Sequence, residues 1–152
     1  MPARMIDHMR MKKLLSLGLF LGVFLMGCTR PAAKPAAAAE TLSNTWVLER
    51  LQDQSLEAGK FARGLPQLNI NESQDQVSGH TGCNRMSGTL NVSGDRITFS
   101  RLITTKMACA GESVEQPFLA ILNDSTLTFQ LQPGRLTLLQ ENKPVLVFRK
   151  AG

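Results

Sequence analysis

From Thr45 onward, apolar residues recur at every second position in short runs. Trp46 and Leu48 share a face in Thr45–Leu51, and Leu68 and Ile70 do so in Gln67–Ile70. Leu90 and Val92 alternate up to Ser93-Gly94-Asp95, after which Ile97 and Phe99 resume the pattern, which predicts a hairpin. Leu127, Phe129 and Leu131 form another run, Pro133-Gly134 a turn, and Leu136 and Leu138 the returning strand. Asn142-Lys143-Pro144 turns again before Val145–Arg149. One segment has a different period. Val114, Phe118, Ile121 and Leu122 fall at i, i+4, i+7 and i+8, the spacing of one helix face. Ser113 and Gln116 have the spacing of a capping box. Pro117 would remove the first intrahelical bond unless the helix starts near it. The prediction is a mostly antiparallel α+β domain with one covering helix. Roughly 110 residues suffice for one modest core. There is no internal repeat.

The N-terminus follows another logic. Met11-Lys12-Lys13 is a positive flank, and Leu14–Met26 is apolar apart from Ser16 and two glycines. Thirteen helical residues span about 20 Å, short of the roughly 30 Å hydrocarbon core, so the segment reads as a secretory signal rather than a membrane span. Translation could begin at Met1, Met5, Met9 or Met11. Leu25-Met26-Gly27-Cys28 resembles the lipobox of bacterial lipoproteins, with Met26 a less usual choice at its position. The resemblance implies cleavage before Cys28 and lipidation of its thiol, and several acyl chains anchor a protein stably. Thr29 stands where Asp would favour inner-membrane retention, so the outer membrane is the expected destination. Residues 29–41 are rich in Pro and Ala and would reach at most about 40 Å as an extended tether. The expected organisation is a signal peptide over 1–27, lipidated Cys28 and tether over 28–42, and one domain over 43–150.

Charge then changes meaning. The net charge is +5, with 17 basic and 12 acidic side chains. Residues 41–152 carry 11 basic and 10 acidic groups, so the body is nearly neutral. That argues against a nucleic-acid binder, and an aromatic content of 5% with no Tyr argues against base stacking.

Two stretches carry an identity. They are Val77-Ser78-Gly79-His80-Thr81-Gly82-Cys83-Asn84-Arg85-Met86-Ser87-Gly88 and Thr104-Thr105-Lys106-Met107-Ala108-Cys109. With Trp46-Val47-Leu48 and Glu115-x-x-Phe118-Leu119, they resemble the META domain family, that of HslJ-like heat-shock lipoproteins. Lys106 departs mildly from the Arg common there. The resemblance implies an open sheet or partial barrel with one covering helix. It also implies a role in envelope or heat stress and in tolerance of novobiocin. It supplies no catalytic residues.

Three glycines bracket Cys83, which suits a tight loop. One reading is a binding loop built on Gly79 and Gly82 that presents Asn84 and Arg85. The favoured one is a structural corner with Asn84 satisfying loop backbone. Once Cys28 takes lipid, Cys83 and Cys109 remain, and an oxidising compartment favours a disulfide between them. Buried free thiols and a redox-active pair are the alternatives, and no Cys-x-x-Cys spacing supports the latter.

No metal cluster, cofactor motif, nucleophile elbow or phosphate loop is present in the sequence. His80 is the one histidine beyond the cleavage site and reads as a solvated loop residue. Asp53, Glu57, Glu72 and Asp75 read as surface charge. Arg85, Arg101 and Lys106 could converge on an anionic partner or a lipid head group if the strands pair suitably. The leading expectation is a monomeric, non-enzymatic lipoprotein on the periplasmic face of the outer membrane, with the lipid on Cys28 as its membrane contact and an envelope protein or lipid as partner. A pilotin-like module for a hydrophobic ligand or protein partner is the alternative, and a thiol-based enzyme the third.

Overall fold

A computed structural model describes residues 40–123 and 126–152. The expected signal peptide, Cys28 and most of the expected tether lie outside the described residues. Nine strands and one α-helix follow among the described residues, besides two short 3-10 turns, in the order β1 (Thr45–Leu51), β2 (Gln54–Ser55), β3 (Gln67–Asn71), β4 (Gln76–His80), β5 (Arg85–Ser93), β6 (Arg96–Thr104), α1 (Glu115–Asn123), β7 (Thr126–Gln132), β8 (Arg135–Gln140) and β9 (Lys143–Lys150). All pairings between them are antiparallel, as strands with one buried face allow. The ladder runs from β1 through β3 to β9, and β9 pairs in turn with β1. The result is a partial barrel that gapes at one corner. β6 meets β7 only over Arg96–Thr98 and Thr126–Thr128, and α1 packs against β6.

Alternation sets what faces inward. Trp46 and Leu48, Leu68 and Ile70, Ile97 and Phe99, and Leu136 and Leu138 all join one core. Phe118, Ile121 and Leu122 of α1 close it, with the Phe118 and Phe148 ring centroids 6.5 Å apart. The buried Trp46 indole donates to the Leu42 carbonyl at 2.8 Å, so its polar atom is satisfied. Leu42 is itself buried, and packing therefore starts ahead of Ser43.

Pro117 proves harmless. The first i→i−4 bond runs from Phe118 N to Val114 O at 2.9 Å, so Pro117 lies in the first turn, where amides have no intrahelical acceptor. The Ser113 hydroxyl faces the Glu115 amide at 3.4 Å rather than completing a box with Gln116. The Gly79–Gly88 stretch forms the corner that reverses a strand: β4 and β5 pair from Gln76 with Thr89 to His80 with Arg85, leaving residues 81–84 as a tight turn. Gly79 is a strand residue at φ +152°, and a Cβ there would strike the Gln67 carbonyl across the β3–β4 ladder. Glycine here serves close approach of two strands rather than a loop.

Candidate functional site

The turn Thr81-Gly82-Cys83-Asn84 carries an interlocked set of hydrogen bonds. Thr81 and Asn84 are its buried polar residues, 1% and 5% exposed. The Thr81 amide donates to the Asn84 carbonyl at 2.9 Å, and the Asn84 amide donates back to Thr81 Oγ1 at 3.1 Å. Asn84 then reaches outward. Its Nδ2 donates to Glu115 Oε2 at 2.8 Å. Its Oδ1 accepts from Thr105 Oγ1 at 2.9 Å and from the Met107 amide at 2.8 Å. Thr81 Oγ1 donates to the same Glu115 oxygen at 2.8 Å. One asparagine thus joins the β4–β5 turn, the segment after β6 and the first turn of α1.

Covalent chemistry repeats that connection. Cys83 and Cys109 form a disulfide with Cα atoms 6.0 Å apart, closing a sequence separation of 26. Gly82 completes the corner. Its φ is +90°, and a Cβ would approach the Phe61 ring to 2.8 Å. The Gly82 carbonyl accepts from the Arg63 amide at 3.0 Å, which draws the β2–β3 connection against the turn. Among the described residues, every buried side-chain nitrogen and oxygen has a hydrogen-bond partner.

The predicted residues therefore part company. Gly79 and Gly82 serve close approach, Asn84 is consumed internally, and Arg85 is exposed on the outer face of β5. His80 is half-buried rather than solvated, and its Nδ1 accepts the Gly82 amide at 3.2 Å. That bond leaves Nε2 as the protonated nitrogen of the neutral ring. Burial, and then the charge of Arg63, hold the His80 pKa below its ordinary value of 6.5. Arg85, Arg101 and Lys106 do not converge as one group. Arg85 and Arg101 line adjoining hollows, whereas Lys106 lines a separate one with Gln116, Leu119 and Asn123 of α1. Arg63 stands beside Arg85 instead. Nothing in Ala62-Arg63-Gly64 marks it in sequence. Thr105 and Glu115 lie within the recognised motifs, but their joint service to Asn84 needs the tertiary structure. No group of three or more His, Cys, Asp or Glu side chains suited to a metal occurs among the described residues.

A family model described as the META domain matches residues 39–152. The chain belongs to the META domain family. Its META domain is similar to two solved structures. One is an NMR structure of a protein with 23% identity and a TM-score of 0.56, covering 71% of this chain and 89% of that one. The other is an NMR structure of a protein from Burkholderia xenovorans, with 26% identity and a TM-score of 0.55, covering 72% of this chain and 82% of that one. No curated protein matches the chain.

Proposed function

We propose that this META-domain protein is a non-enzymatic lipoprotein, anchored through Cys28 to the outer membrane and facing the periplasm. The observation that carries the reading is the Cys83–Cys109 disulfide, built into a corner whose buried polar groups are all engaged. Such a bond belongs to an oxidising compartment, the destination that the Leu25-Met26-Gly27-Cys28 motif specifies. Thr81, Asn84 and Glu115 bond one another rather than a reacting group, which favours a structural role for the motif. By resemblance to HslJ-like lipoproteins, the proposal extends to envelope and heat stress and to novobiocin tolerance.

The test is acylation. Labelled palmitate should enter the wild-type chain and not the Cys28→Ala variant, which should leave the membrane fraction for the soluble periplasm. Equal labelling of both, or an unchanged location of the variant, would sink the anchoring. An acyl chain inside the barrel is the weaker reading, because Trp46, Phe99, Phe118 and Phe148 fill the interior. A protein partner would have to meet the outer surface.

A further inference from the structure

The outer face of β3–β6 is a lattice of small polar side chains, interrupted by the exposed Ile103 of β6, with cations at its ends. Across the ladder, Asn69 pairs with Ser78, Ser78 with Ser87, and Ser87 with Ile103. The row beside it brings Gln67, His80 and Arg85 together. The face is concave. A groove of about 530 Å³ includes Asn69, Ser78, Ser87 and Arg101 in its wall. An adjoining hollow of about 470 Å³ shares Ser78 and is lined by Arg63, His80 and Arg85. No acidic side chain lines either one.

A bulge shapes the far end. β5 and β6 change register between Ser87 and Thr89, and Arg101 takes a left-handed φ of 52°. Gly88 faces the bulge, where a Cβ would meet the Ser100 carbonyl at 2.8 Å. Bulges bend a strand and re-aim a side chain. Here the bulged residue is the arginine that lines the groove.

The three arginines are also uncommitted. Arg135 and Arg149 on the opposite wall both pair with Glu49, whereas Arg63, Arg85 and Arg101 make no side-chain hydrogen bond or ion pair among the described residues. His80 adds a donor, since its Nδ1 is occupied by Gly82 and its Nε2 carries the proton. The hollow between Arg63 and Arg85 therefore offers donors and positive charge. The groove floor offers hydroxyls and amides, which both donate and accept. From Thr105, level with Arg85, back to Arg101 in β6 is four residues, about 13 Å along the strand.

We infer that this face is a binding site for a phosphorylated saccharide. The phosphate sits between Arg63 and Arg85 over His80 Nε2. The sugar hydroxyls lie along Asn69, Ser78 and Ser87, and Arg101 closes the far end. The length suits a disaccharide. A neutral sugar would leave the arginines unmatched, and a bare anion would leave the polar floor unused. The site goes beyond the anchoring proposal and does not depend on lipid at Cys28.

The experiment is an amide-shift NMR titration of the full-length chain in detergent with trehalose 6-phosphate, trehalose and inorganic phosphate. Trehalose 6-phosphate should give saturable shifts at Ser78–His80 and Arg85–Ser87, weakening as salt is raised. Arg63→Gln and Arg85→Gln should each weaken binding roughly tenfold, the loss of a charge-assisted hydrogen bond. Both positions are exposed, so an unchanged amide spectrum outside the site checks the fold of each variant. Arg135→Gln on the other wall should bind as wild type. Absence of saturable shifts overturns the site. So does equal binding of trehalose, which removes the role of charge, or of inorganic phosphate, which removes that of the floor.

Discussion

The wall formed by β8, β9 and β1 and the corner at Thr81–Asn84 hold the same sheet by different means. The wall is apolar through its thickness, since Val145, Leu146, Val147 and Phe148 are all buried in succession. Its outer side carries Glu49 bridging Arg135 and Arg149, whose long side chains are partly exposed. The corner has few apolar groups and relies on one disulfide and the bonds of one asparagine. Burial at the wall is diffuse, so damage there costs in proportion to the volume lost. At the corner a single atom change strands several partners at once. The wall should be indifferent to redox conditions, and the corner should not.

The largest expected effect lies in the wall. Phe148→Ala should destabilise by about 3–5 kcal/mol, read from urea unfolding, because it removes a ring packed on Phe118. A cost below that of an exposed substitution would show that the core collapses around the loss. Removing the disulfide as Cys83→Ala with Cys109→Ala comes next, at about 3.5 kcal/mol in the chain-entropy model. Hydrogen exchange sharpens the comparison here. Amides near Met107 and Glu112 should lose protection first, while those of β9 and β1 keep theirs; simultaneous loss would merge the two regions into one cooperative unit. Asn84→Ala should cost about 1–3 kcal/mol, since Glu115, Thr105 and Met107 each lose a partner. By contrast, Glu49→Gln should change stability by no more than about 1 kcal/mol, as for other partly exposed ion pairs.

The smallest effect is a pH dependence confined to the corner. The His80 pKa is lowered on folding, so the folded state binds its proton less readily than the unfolded chain. That contribution to stability is in full force above about pH 6.5 and is lost as the pH falls toward the lower folded-state value. A ring-proton NMR titration should place His80 below 6.5, and Arg63→Gln should move it upward. A titration at or above that value would show that burial and Arg63 do not act on the ring.

Much of the wall is legible from alternation alone. Thr45–Leu51 forms β1 with those limits, and Pro133-Gly134 separates β7 from β8, but the next turn is Glu141-Asn142, so Lys143 and Pro144, expected in the turn, already belong to β9. The corner is legible only in part. Its cysteines and asparagine stand out as a motif, but the strand character of Gly79 does not. Glycine carries no side chain to mark a face, and the reason for it lies in the Gln67 carbonyl of another strand. The meeting of Asn84 with Glu115 crosses 31 residues, and no local pattern records such a contact. Arg63 escapes for a similar reason, because its neighbours in space, His80 and Arg85, belong to strands that sequence reading leaves unpaired.

The ion pair at the domain's N-terminal edge has a consequence for presentation. Glu40 accepts from Lys150 Nζ at 2.7 Å and from the Gly134 amide at 3.3 Å, so the chain leaves the domain at a fixed point. Ser43 is bound just beyond it to Glu72, which follows the C-terminal end of β3, whereas Gln67 at the other end of β3 pairs with His80. The exit and the disulfide corner therefore occupy opposite ends of that strand. A force applied at Glu40 would act on one end of β3 and leave the corner and the Arg63–Arg85 hollow at the other.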